Sequence, residues 1–300
     1  MTIEGNSTDS YTSQYVEVNG SKIHYIEDGY GMPILFLHGI PTSSHVWRKI
    51  FSHLSMLGEC IAPDLIGFGS SDKPDIAYTV QDHIGYINQF IEALDLKDVL
   101  IVMHGVGSVI GLDYALKHVK NCRGLVFYEA FIQPVVGDNM SLPYHEQVNL
   151  LSNATESYAS SQEGIGIVDQ MLLQSMIRKP SETVLASYRQ PFLTAGSAQP
   201  VIQYIKEMPK GDGKSTIDLL LKMYLPMLIA SKLPVLLLYS IPGFITTMST
   251  VTWAKEHLPN VEVMDIGEEL HLGQESNPSL LGESISIWLQ GIELRVQETV

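Results

Sequence analysis

Apolar and polar residues alternate in two neighbouring stretches near the start of the chain, Tyr15–Asn19 and Ser21–Asp28, on either side of Asn19-Gly20. A two-residue period broken by Asn-Gly predicts a β-hairpin, because both residues accept the positive φ angles of its tight turn. The pattern then changes. Ile34–Leu37, Cys60–Ala62, Val99–Met103, Leu125–Tyr128 and Val235–Tyr239 are short unbroken apolar runs, each bounded by Gly, Pro, Asp or His. Helix-length segments such as Thr79–Leu94 and Ser108–His118 separate them. Strands without polar alternation are buried on both faces, and strands alternating with helices build a parallel sheet. Ligands of such sheets bind outside the carboxyl ends of the strands.

The alternation stops after Pro134. From Val136 to Ala230 the chain reads as helical, with Gln199–Pro209 as one helix and Lys210-Gly211-Asp212-Gly213-Lys214 as a turn. Strand runs resume at Pro234–Tyr239 and Val261–Ile266, and a last helix covers Pro278–Leu289. The expected organisation is a flexible N-terminal arm at 1–14, an α/β core at 15–135 and 231–300, and a helical cap at 136–230. Leu219–Tyr239 carries Lys222, Pro226, Lys232 and Pro234, so it predicts a helix and a strand rather than a membrane span.

Composition narrows the partners. The 300 residues are 45% hydrophobic, enough to fill one large core. The formal net charge of −15 repels phosphate backbones and anionic lipid, so neither nucleic acid nor a membrane surface is expected as a partner. The two cysteines, Cys60 and Cys122, sit in apolar segments and read as buried thiols. The N-terminus has neither a basic nor an apolar region of the secretory kind, which points to the cytoplasm. A monomer or homodimer is expected.

The chemistry should follow the strand ends. His38-Gly39-Ile40 follows Ile34–Leu37, and Pro63-Asp64-Leu65-Ile66-Gly67 follows the next run. His104-Gly105-Val106-Gly107-Ser108 follows Val99–Met103, the strand–turn–helix place where a Gly-x-nucleophile-x-Gly elbow belongs. Leu270-His271-Leu272 follows the last strand. No metal constellation, phosphate loop or dinucleotide fingerprint accompanies them, so no cofactor or metal is expected.

Together with Trp47-Arg48, Tyr188-Arg189-Gln190-Pro191-Phe192 and Asp265-Ile266-Gly267, these motifs resemble the haloalkane dehalogenase family over roughly Tyr15 to Leu289. The resemblance implies an α/β-hydrolase fold, with an eight-stranded, mostly parallel sheet and a helical cap over an apolar pocket. It implies that His271 is the catalytic base and Glu129, beside Phe131-Ile132-Gln133-Pro134, the acid that orients it. It also implies an aspartate nucleophile after His104, where Gly105 stands. The family's two halide donors, a tryptophan and an asparagine, are replaced by Val106 and Ile40.

Losing the nucleophile of an integrated triad costs on the order of 10⁶ in kcat, and a halide leaving into an apolar pocket goes unsolvated. Dehalogenation is therefore not the expected activity. Glycine also relaxes the strained elbow and is expected to leave a space about the size of a carboxymethyl group beneath His271. Ser108 and Ser44 are candidate replacement nucleophiles, with structural use the better reading, and Asp64 should anchor its turn. The leading expectation is non-covalent acid/base catalysis by a Glu129–His271 dyad on an apolar small molecule: a cyclisation, isomerisation, elimination or decarboxylation. The Val106 and Ile40 amides would hold a developing oxyanion, with His38 and His104 lining the site. The alternatives are a hydrolase or hydratase in which His271 activates water, and a catalytically dead ligand-binding protein.

Overall fold

The computed structural model describes residues 11–151 and 163–297. Residues 1–10 of the expected arm, 152–162 of the expected cap and 298–300 of the expected core lie outside them. Its strands are β1 (Thr12–Val18), β2 (Ser21–Asp28), β3 (Pro33–Leu37), β4 (Glu59–Pro63), β5 (Val99–Gly105), β6 (Cys122–Ala130), β7 (Val235–Pro242) and β8 (Val261–Glu269). Its α-helices are α1 (Arg48–Leu54), α2 (Val80–Ala93), α3 (Gly107–Lys117), α4 (Leu142–Leu151), α5 (Glu163–Gln174), α6 (Glu182–Arg189), α7 (Gln199–Glu207), α8 (Thr216–Ser231), α9 (Met248–His257), α10 (Gly273–Ser276) and α11 (Pro278–Gln297).

Among the described residues the strands form one eight-stranded sheet, in the order β1-β2-β4-β3-β5-β6-β7-β8. β2 pairs antiparallel with β1 and β4, and every other pairing is parallel. This is the α/β-hydrolase fold. Its central strands are the unbroken apolar runs: every residue of β3 and β5 is buried, as strands covered on both faces must be. β1 begins at Thr12, inside the segment expected to be a flexible arm, because Thr12 and Ser13 pair with Glu27 and Ile26 of β2.

Local signals start the helices. Thr79 and Asp82 form a reciprocal capping box at α2, and Ser215 and Asp218 form one at α8. Asp218 also accepts the Val135 amide at 2.8 Å, so the cap that starts α8 holds the chain leaving β6 as well. Helices α4 to α8 lie between β6 and β7 in sequence and are tied to the rest at several points. The Val80 amide donates to Glu207 Oε2 at 2.8 Å, and the Tyr224 hydroxyl to Asp113 Oδ1 at 2.8 Å. The Tyr188 hydroxyl donates to Glu275 Oε1 at 2.6 Å, and Arg48 grips both oxygens of the same carboxylate at 2.5 and 2.9 Å. Tyr188, part of a sequence motif, is therefore a tether between these helices and the core, and Arg48 holds its acceptor Glu275 in place.

His83 on α2 is a cost in this packing. Its ring is buried against Phe68, at a centroid distance of 5.8 Å, and neither ring nitrogen has a hydrogen-bond partner among the described residues. A buried polar group without a partner costs about 1–3 kcal/mol. His83→Leu, close in volume, should recover part of that and raise Tm by several degrees. A lower Tm, measured calorimetrically, would show that the imidazole is held by something other than packing.

Candidate functional site

The site forms where the ends of β3, β5, β6 and β8 converge. β5 ends at Gly105, and the chain turns there into α3 with Gly105 at φ +53°, a left-handed conformation that glycine adopts without a Cβ clash. A Cβ on Gly105 would lie 3.2 Å from Gly39 Cα, in the loop after β3, and 3.6 Å from His271 Nε2, in the loop after β8. Gly105, Gly39 and His271 thus meet at contact distance. The open space expected beneath His271 is reduced by the Gly39 backbone, which closes against the elbow.

Ser108 fixes that elbow. Its hydroxyl donates to the Gly105 carbonyl at 2.7 Å and accepts the Phe131 amide at 2.9 Å. It clamps the elbow to the segment after β6 and is not poised as a nucleophile. Ser44 offers its amide to Asp64 Oδ1 at 2.7 Å. Asp64 also accepts the Ser70 amide at 2.8 Å and the His24 ring at 2.7 Å. Burial opposes its ionisation, but the hydrogen bond and charge of His24 hold its carboxyl below the usual range. Asp64 anchors its turn, as its place after β4 suggested.

Glu129 leaves the regular ladder. The β5–β6 register shifts so that His104 faces Tyr128 and Gly105 faces Ala130. Glu129, bulged between them, has φ +44°, a strained conformation for a non-glycine residue. Its carboxyl reaches toward the turn after β7, where Oε2 accepts the amides of Phe244 at 3.1 Å and Ile245 at 2.6 Å. That turn needs Gly243, which has φ +72° and where a side chain would run into the carbonyls of Thr246 and Ser240. Phe244 and Ile245 went unnamed in the sequence reading; Pro242-Gly243 just after an apolar run was their only signal.

His271 Nδ1 stands 3.4 Å from Glu129 Oε2, which leaves Nε2 on the side of Gly105. The His271 ring packs at centroid distances of 5.2 Å from Phe244 and 4.1 Å from His104. Its backbone is pinned too: its amide and that of Leu272 donate to the Ser175 carbonyl at 2.9 and 3.1 Å. Only 7% of His271 is exposed, and Glu129 is fully buried. Burial pushes the Glu129 carboxyl up to about 8, against the pull of the backbone amides, and holds the His271 imidazole down at about 3. Burial thus disfavours the charged form of both groups.

The remaining sequence candidates divide. Ile40 and Val106 are buried at the elbow, and among the described residues neither amide donates a backbone hydrogen bond. His38 uses both ring nitrogens elsewhere: Nε2 accepts the Leu65 amide at 2.9 Å and Nδ1 donates to the Gly39 carbonyl at 2.8 Å. It is a brace between two loops. His104 faces the backbone of His271, with Nε2 at 3.0 Å from the His271 carbonyl. No cluster of three or more potential metal ligands occurs among the described residues. A groove of about 430 Å³, lined by Glu59, Lys97, Asp98 and Arg123 among others, opens at the amino ends of the strands. That is the far end of the sheet from these groups.

Comparison with known proteins places the fold. The α/β-hydrolase-fold family model matches residues 32–162. A haloalkane dehalogenase of Sphingobium indicum is 34% identical over 287 residues, spanning 92% of this chain and 95% of that protein. One from Agrobacterium fabrum is 31% identical over 274 residues, spanning 91% and 90%. Among solved structures, the haloalkane dehalogenase DatA of Agrobacterium tumefaciens superposes with a TM-score of 0.87 at 30% identity, covering 95% of this chain and 98% of that one. DbeA of Bradyrhizobium elkani gives 0.88 at 30% identity, covering 95% and 100%.

Proposed function

Because the chain belongs to the haloalkane dehalogenase-like α/β-hydrolases, we propose that it works with that family's base and acid but without a covalent nucleophile. His271 Nε2 takes a proton from an apolar small molecule seated between the elbow and the helices of 136–230. Glu129 holds the imidazole through Nδ1. The amides of Val106 and Ile40 take the charge that develops on a carbonyl or enolate oxygen, and His271 returns the proton to product. A cyclisation, isomerisation, elimination or decarboxylation fits this sequence of events. The observation that carries the reading is the placement of His271: Nδ1 against Glu129 and Nε2 3.6 Å from where a Gly105 side chain would begin. A base so placed has no side-chain nucleophile at the elbow to activate.

The reading can be tested without knowing the natural substrate. 5-Nitrobenzisoxazole opens when a base removes its ring C–H proton and the N–O bond breaks, giving a coloured cyanophenolate. The protein should accelerate this opening, and His271→Gln should lower the rate by about 10²–10⁴. The rate should rise as pH passes through about 8, where Glu129 ionises and its negative charge strengthens the imidazole as a base. Glu129→Gln should remove that inflection. Ring opening indifferent to His271→Gln would leave a ligand-binding protein in place of an enzyme.

A further inference from the structure

Catalytic imidazoles depend on placement to fractions of an ångström, and Glu129 holds only one side of the His271 ring. His104 contacts the other side and the backbone. It precedes Gly105 on β5, is fully buried, and directs Nε2 to the His271 carbonyl oxygen at 3.0 Å. Because the acceptor is a carbonyl, that nitrogen carries the proton, which fixes the His104 tautomer. Its ring lies 4.1 Å from the His271 ring, centroid to centroid, tilted by 34°. Tyr128 stacks at 6.0 Å and Trp47 meets it edge-on at 6.2 Å, so the ring is held from its own surroundings. The other nitrogen, Nδ1, has no partner among the described residues and lies against Gly39, 2.8 Å from where a Gly39 side chain would begin. One ring therefore touches the base, the loop that supplies the Ile40 amide, and the elbow to which it is bonded.

We propose that His104 is a positioning residue for His271: its Nε2–H···O=C bond and its ring contact fix the height and tilt of the base over Gly105. His104 acts from the sheet, while the Ser175 carbonyl holds the amide of the same residue from the helical segment. The role rests on the general-base reading for its catalytic meaning but not for its geometry.

Nitrogen-15 spectra of histidine-labelled protein test it. In the wild type, His104 should be a neutral imidazole protonated at Nε2, and His271 a neutral imidazole protonated at Nδ1. His104→Leu should shift the His271 ring nitrogens and mix its tautomers, and should lower kcat for benzisoxazole opening about tenfold with KM moving less than twofold. His104→Gln, whose amide nitrogen falls near the position of Nε2, should restore most of both signals. His104→Asn, one carbon too short to reach the carbonyl, should behave like His104→Leu and serves if the leucine variant does not fold. A wild-type His104 protonated at Nδ1 would overturn the proposal, as would a folded His104→Leu or His104→Asn with His271 signals identical to wild type. If His271 responds to His104 while no ring opening is seen in the wild type, the positioning role stands and the general-base reading falls.

Discussion

No halide should be released from a short terminal bromoalkane by the wild-type protein, and Gly105→Asp alone should release none that can be measured. The single change returns a carboxylate beside the Nε2 of His271. Yet the side chains at the two donor positions implied by the family resemblance, Val106 and Ile40, are aliphatic and buried, so a leaving halide finds no side-chain donor. One missing transition-state donor costs about 10²–10³ in rate, and here both are missing. Gly105 has φ +53°, and a Cβ there would approach Gly39 Cα to 3.2 Å. The aspartate should therefore lower stability by about 1–3 kcal/mol. Gly105→Asp combined with Val106→Trp and Ile40→Asn should be the first variant to release halide, provided the buried site expands to take the indole, and its Tm should be measured alongside. Halide release by the wild type would overturn the reading of Gly105. Strong release by the single variant would show that the side-chain donors are dispensable.

Stability should fall steeply as pH drops from about 6 to 4. Burial lowers the imidazoles of His83 to about 4 and of His271 to about 3, from an ordinary value of 6.5, and it also lowers His38 and His104. In the unfolded chain all four protonate near 6.5. Below that pH the unfolded state binds more protons than the folded one, and stability declines until each folded value is reached. At pH 5, His83 and His271 each remove about 2 kcal/mol, a large share of the typical 5–15 kcal/mol of a folded protein. Glu129 works in the opposite direction. Its folded value of about 8 lies above an ordinary 4.5, so it costs stability as pH rises from 4.5 to 8 and returns it on acidification. That return is complete near pH 4.5, while His271 goes on losing stability down to about pH 3. Thermal melts across pH should show the decline, and His83→Leu should move its midpoint to lower pH. A melting temperature level from pH 6.5 to 4.5 would mean that these histidines are not held neutral.

The strand runs were legible because burial on both faces leaves only apolar residues. Ile34–Leu37, Val99–Met103 and Val235–Tyr239 each fall within a strand. The strand ends were less so: β5 runs on to Gly105 and β8 to Glu269 through backbone pairing, which no side-chain pattern records. β1 was truncated for a related reason, since Thr12 and Ser13 are exposed, and an exposed edge strand needs no alternation of apolar and polar residues. His271 and Glu129 were found by their positions after strands and by family resemblance, and they do meet. The sequence read His38 and His104 as lining the site. It did not show which way their rings face, because that depends on acceptors far along the chain, such as the His271 carbonyl, 167 residues from His104.

By itself, then, the sequence determined the parallel sheet, the interrupting helical segment, and the absence of a side chain at the elbow, since each is written in local pattern or in a single residue type. Only the tertiary structure decided what surrounds that elbow. The burial that disfavours charge on Glu129 and His271, the clamp made by Ser108, the closure of Gly39 over Gly105 and the turn of His104 toward His271 all arise from groups distant in the chain, brought together where burial strips away water and makes each remaining contact count.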